Sequence, residues 1–197
     1  MHKSEIQVNN RSKTGMWRTL FIMVFAGFML SSCLTCETKE YIFTMTGKNS
    51  GKLTIRYINI FSNSLDSLGE IATDYDELVD MWLKGEKIER DFPKAKKVKK
   101  RLYEANGVLN GEVTMEFENL EDVRLFRYNN SGPFIFSTTA FNDDGEVFRT
   151  TNGVFGNDNT PVIFWNEDET SLRFTTRIAV PDSTTVSMLD TWKSHQK

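Results

Sequence analysis

The chain has 197 residues, 39% hydrophobic and 26% charged, with a formal net charge of −3. That length suits one domain, and that composition excludes collagen, coiled coil and wholesale disorder. Two cysteines exclude a disulfide-dense scaffold, and two histidines leave little for histidine chemistry.

The first feature in chain order is a leader. Arg11, Lys13 and Arg18 are basic, and Thr19–Leu30 is an apolar run of twelve residues. A helix that crosses a bilayer needs ~20 residues. A basic start, a short apolar run and small residues at its end describe a secretory signal instead. The run closes on Leu30-Ser31-Ser32-Cys33. Here the chain resembles bacterial lipoproteins, whose lipobox is a leucine, two small residues and a cysteine. The resemblance covers only the leader, and all four positions fit. It implies cleavage between Ser32 and Cys33 and acylation of Cys33, so that the membrane becomes a partner through an N-terminal lipid anchor. Met16-Trp17-Arg18 would itself open a compact leader. Leu34 stands where an aspartate tends to hold a diderm lipoprotein at the inner membrane, so the resemblance implies the outer membrane. Glu37 and Glu40 are not adjacent and make no acidic surface-export run, which favours the periplasmic face.

The expected organisation is a signal peptide over 1–32, a short tether over 33–39 and one globular domain over 40–197. Cleavage removes Lys3, Arg11, Lys13 and Arg18 against Glu5, leaving 165 residues at net charge −6. A domain of that size has room for a real core. An acidic, exported chain disfavours nucleic acid and leaves an envelope protein as a partner to consider. Cys33 and Cys36 form a C-x-x-C, but a redox pair needs a strand before it and a helix after it. Acylation would also occupy the Cys33 sulfur. Cys36 is then an odd thiol, free or paired between molecules.

Tyr41, Phe43 and Met45 alternate with polar neighbours, residues 47–51 are turn chemistry, and Leu53, Ile55 and Tyr57 alternate again: a hairpin. Residues 74–83 read as a helix with Tyr75, Leu78, Val79 and Trp82 on one face, capped by Thr73 or Asp74 and stopped at Gly85. Asn106-Gly107 is the strongest hairpin signal, joining strands over 96–104 and 109–117. A helical turn starts at Asn119. A strand at Phe134–Phe136 leads through a turn at 143–145 into a returning strand at Val147–Arg149. Gly153 and Gly156 bracket a loop, and Pro161–Trp165 is an apolar strand buried on two faces. The last strand alternates from Leu172 to Ile178, and a helix capped by Ser183 or Thr184 carries Met188, Leu189 and Trp192. The class is α+β: a mainly antiparallel β-sheet built from hairpins, with two packed α-helices.

After cleavage the remaining histidine is His195, near the end of the chain, which disfavours Ser-His-Asp catalysis and zinc. No catalytic residue, metal site or cofactor is assigned. Paired carboxylates leave a hydrolase open. Residues 142–146 and 157–159 are oxygen-rich loops of the kind that hold calcium, but neither has EF-hand spacing, and Asp143-Asp144-Gly145 reads as a hairpin turn. Lys94, Lys96, Lys97, Lys99, Lys100 and Arg101 form a basic run in an acidic domain. On a strand, Lys97, Lys99 and Arg101 share one face, while Lys96, Val98, Lys100 and Leu102 share the other. The run is a contact for anionic headgroups, a contact for a polyanionic partner surface, or an edge strand guarded by lysines. Function reads as a lipid-anchored binding or structural module of the envelope. The alternatives are a carboxylate-based hydrolase, or a carrier whose cleft is lined by Phe134, Phe136, Phe148, Phe155, Phe164 and Trp165. The hairpin–helix–hairpin order is similar to that of small uncharacterised envelope lipoproteins.

Overall fold

The computed structural model describes residues 33–63, 68–139 and 145–196. The leader, Leu30–Ser32 of the lipobox and Asn142–Asp144 lie outside them. The period-2 segments fold as β1 (Leu34–Met45), β2 (Gly51–Ser62), β3 (Lys96–Ala105), β4 (Val108–Phe117), β5 (Leu125–Arg127) and β6 (Phe134–Ser137). They continue as β7 (Val147–Thr151), β8 (Val154–Asn157), β9 (Thr160–Trp165), β10 (Ser171–Arg177) and β11 (Val186–Ser187). The mainly antiparallel sheet expected from sequence is present, divided in two. The large sheet runs β3-β4-β2-β1-β10-β7, with β11 pairing the end of β2. The smaller sheet runs β5-β6-β9-β8.

β1 begins at Leu34, so residues 34–39, expected as a tether, are strand. Thr38, Lys39 and Glu40 pair with Ile58, Tyr57 and Arg56 on one side and with Arg177, Thr176 and Thr175 on the other. A segment with neighbours on both edges cannot act as a linker. Asn106 and Gly107 take φ of 55° and 75°, the type I′ geometry their identities predict, and set the β3–β4 register. β6 does not return into β7. It pairs with β5 and β9, while β7 joins β10 in the other sheet. The Gly153–Gly156 segment is the edge strand β8, not a loop. At Gly153 a side chain would meet the Phe164 carbonyl oxygen at 2.4 Å, so glycine there permits the strand contact. In β9, Ile163 and Trp165 are buried while Val162 and Phe164 are half-buried, so one face meets the core rather than two.

The helical part is smaller than the sheet. α1 (Leu68–Glu77) runs into a π-helical segment, Leu78–Leu83, and then α2 (Lys87–Asp91). The helix expected over 74–83 thus starts earlier and changes type midway. Thr73 and Asp74 lie inside α1 rather than capping it, and buried Asp74 accepts from the Ser62 hydroxyl. α3 (Leu189–Ser194) is short, and Asp182, rather than Ser183 or Thr184, caps the turn before it.

Two apolar clusters result. The larger packs Phe43, Leu53, Met115 and Phe174 of the large sheet against Phe136 and Trp165 of the smaller one. Phe136 and Phe174 ring centroids lie 4.7 Å apart, which locks the sheets face to face. Each such side chain contributes roughly 1.5–3 kcal/mol by burial. The second cluster joins Cys36 and Ile60 to Tyr75, Leu78, Met188 and Leu189. Asn59, at φ 57°, breaks the alternation of β2, so Ile55 and Ile60, of opposite parity, are both buried. The clusters meet at this irregularity.

Candidate functional site

A cavity of about 580 Å³ lies where the two clusters fail to merge. Its floor is the large sheet: Lys39 and Tyr41 of β1, Ile55 and Tyr57 of β2, Val113 of β4 and Leu102 of β3. Its roof is helical, with Leu78, Trp82 and Leu83 from the π-helical segment and Lys87 and Phe92 at α2. Leu34, Cys36 and Ile178 also line it, as do Val123, Arg124 and Phe136.

The roof is shaped by an irregularity with a visible cause. The Lys84 amide donates to the Val79 carbonyl at 2.8 Å, five residues back, which is the π pattern. Gly85 follows, and a side chain there would meet the Asp80 and Met81 carbonyl oxygens at 2.5 and 2.6 Å. The wide turn carries Trp82 and Leu83 over the floor, where the Trp82 and Tyr57 rings meet edge to face at 5.8 Å.

A buried polar cluster interrupts the apolar floor. The Glu146 side chain is 0% exposed. Lys39 forms an ion pair with it, the Tyr41 hydroxyl donates at 3.1 Å and the Thr176 hydroxyl at 2.7 Å. Placing charge here costs several kcal/mol per ion unless neighbours satisfy it, and four hydrogen bonds from three side chains do so. Burial, with the Glu146 charge beside it, pushes the Tyr41 hydroxyl well above its ordinary range, so it remains a donor. Lys39 also sits 5.6 Å from the Tyr57 ring centroid. Cys36 is 4% exposed. Burial raises its thiol to about 12; Lys39 opposes the shift, while Glu146 and Glu37 add to it. A thiol so enclosed cannot pair between molecules. Nor do Cys33 and Cys36 form a disulfide with each other: three steps of extended chain separate them by roughly 10 Å, beyond disulfide reach.

Among the described residues five basic side chains line the cavity, and three of them have carboxylate partners. Lys39 pairs with Glu146, Lys100 with Glu89 at 2.6 Å and Arg101 with Glu112 at 2.7 Å. Burial pushes Glu112 up, but its hydrogen bonds to Arg101 and Arg56 outweigh this and hold it below the usual carboxylate range. Lys87 instead stands over the Trp82 ring at 4.3 Å, and Arg124 over Phe92 at 5.5 Å.

The basic run is edge strand β3, and most of it is matched by acids. Lys96 pairs with Glu118 at 2.6 Å, Lys97 with Glu116 at 2.8 Å and Lys94 with Asp122 at 4.0 Å. Lys99 is exposed and has no ion pair among the described residues. The expected two-face alternation fails at Lys97, which takes φ 51° where the ladder shifts register. It holds beyond, with Val98, Lys100 and Leu102 half-buried and Lys99 and Arg101 exposed. Of the aromatic residues expected to line a cleft, only Phe136 does. Phe134 and Trp165 are core, and Phe148 and Phe155 stack on each other at 4.1 Å. Among the described residues no group of three or more metal-type side chains converges. Asn157 is occupied by its own turn, accepting from the Asn159 and Thr160 amides at 2.9 Å. No described helix is long and apolar enough to cross a membrane.

The chain matches no known family model, no curated protein and no solved structure.

Proposed function

We propose that the chain is a lipid-anchored lipoprotein of the cell envelope, held at the outer membrane through Cys33, whose domain binds a small apolar ligand. The observation that carries the binding half is the cavity between sheet floor and helical roof. Its volume, about 580 Å³, lies within the roughly 300–1,000 Å³ of small-ligand sites. A mostly apolar wall with a few fixed polar groups is the usual design of such sites, and a π turn in the roof is a frequent companion of function. The anchor half rests on the lipobox. β1 starts one residue after Cys33, so an acylated Cys33 would lie beside cavity residues Leu34, Thr35 and Cys36.

The cavity carboxylates suit holding better than proton transfer. A general acid needs a raised pKa, whereas Glu112 is lowered by its arginines and Glu146 is tied to Lys39, Tyr41 and Thr176. This favours the binding module over the hydrolase.

Thermal unfolding of the full chain in phosphatidylcholine vesicles, with and without a long-chain alcohol, tests the reading. A ligand at a hundredfold excess over its Kd stabilises by about 2.7 kcal/mol, a rise in Tm of roughly 5–10 °C. The rise is expected in the wild type and not in Leu83→Trp, which fills the cavity from its half-exposed roof. Equal Tm with and without alcohol in the wild type would end the binding reading.

A further inference from the structure

We infer that the ligand is a single-chain amphiphile with an anionic headgroup, the headgroup seated at Lys87 and Arg124 and the chain lying along the Tyr57–Trp82 wall. The inference rests on the binding role proposed above and names the ligand class.

The shape argues for one chain. The lining follows β1 from Leu34 to Phe43, roughly 30 Å of extended strand. Leu53, Ile55, Tyr57 and Ile60 of β2 line it alongside, so the apolar wall is elongated along the two strands. An apolar wall of that length suits an extended hydrocarbon chain better than a compact ring system.

The charges argue for where the headgroup sits. Lys39 is neutralised inside the wall by Glu146, and Lys100 and Arg101 by Glu89 and Glu112. An anion placed beside the Lys39–Glu146 pair would leave a net buried negative charge, which is costly. Lys87 and Arg124 have aromatic faces as their partners, and Asp91 is the acid nearest in sequence to Lys87 on the cavity lining. Among the described residues neither cation is in an ion pair, although Asp91 shares the lining with them. Trp82 and Phe92 back the two cations, so the polar and apolar surfaces adjoin as an amphiphile requires. Lys39 over Tyr57, Tyr57 against Trp82, and Lys87 over Trp82 form one continuous wall.

The test uses the full chain in phosphatidylcholine vesicles and two probes: a dibrominated long-chain fatty acid and the matching dibrominated alcohol. Bromine quenches tryptophan at contact, and the part of the quenching lost in Trp82→Phe reports the cavity. Saturable quenching is expected from each probe, with the acid binding more tightly. The double variant Lys87→Gln/Arg124→Gln is expected to weaken the acid about tenfold and leave the alcohol unchanged. The alcohol therefore serves as the control for folding. If acid and alcohol bind equally, or the double variant leaves the acid unaffected, the headgroup assignment is overturned while the binding role stands. If neither probe quenches Trp82 in the wild type or in Cys33→Ser, the binding role itself fails. If only Cys33→Ser admits the probes, the occupant is the chain's own acyl group and the proposal falls.

Discussion

Cys36 faces the cavity from β1, 4% exposed, with its thiol raised to about 12. At pH 8 roughly one molecule in ten thousand carries a thiolate there. Native full chain treated with iodoacetamide at pH 8 should therefore leave Cys36 unmodified by mass spectrometry, with modification appearing in denaturant; rapid native alkylation would refute the enclosed site. The same shift has a stability consequence. Above about pH 8.5 the unfolded chain loses this proton while the folded chain keeps it. Stability is therefore full below that pH and falls as the pH rises towards 12. Glu112 behaves oppositely, because Arg101 and Arg56 hold its carboxyl low. Its contribution is present above the ordinary carboxylate pKa and is lost as pH falls through the folded value. Glu112→Gln should cost roughly 0.5–1 kcal/mol at pH 7 by urea unfolding, with the difference shrinking in acid. An equal cost at pH 2 would show that packing, not charge, is responsible.

At the scale of elements, what was legible depended on how local each signal was. Asn106-Gly107 fixes its own hairpin through two positive φ values, and the alternation of Val113, Met115 and Phe117 fixes which face is buried. The tether expected over 33–39 fails although Glu37 and Lys39, with Glu40 just beyond, are polar. Their polarity serves contacts made across the sheet instead, with Asn59, Glu146 and Arg56. β6 and β7 follow each other in sequence yet enter different sheets, and no local pattern specifies that choice. The cavity was illegible for the same reason. Lys39 and Glu146 are 107 residues apart, and the π turn depends on where Gly85 falls. The basic run was legible as an edge strand, but its matching acids on β4 become visible only once register is known. Glycines give a direct test of close approach. Gly153→Ala should destabilise by about 1–3 kcal/mol, since its side chain would meet Phe164 and Trp165. Gly69→Ala in α1 meets nothing within 4 Å and should be stabilising by roughly 0.5–1 kcal/mol. Urea denaturation of both variants checks the pair, and a neutral Gly153→Ala would mean that β8 does not approach β9 as described.

For the whole molecule, the proposed anchor at Cys33 adjoins the cavity through β1, which starts at Leu34. Cells producing the chain and fed an alkynyl fatty acid should label it, and Cys33→Ser should be unlabelled and leave the membrane fraction. Persistent label on Cys33→Ser would place acylation elsewhere. The sheet, with its strand β1 starting at Leu34, leaves almost no length between the proposed anchor at Cys33 and the domain. A ligand that partitions into the bilayer would then have a short path to the cavity. The most direct measurement is the ligand itself. The full chain is purified from membranes with its anchor intact, extracted with organic solvent and analysed by mass spectrometry, beside Leu83→Trp prepared identically. A near-stoichiometric single-chain amphiphile is expected from the wild type and its loss from Leu83→Trp; the same lipid profile from both proteins would contradict the binding role.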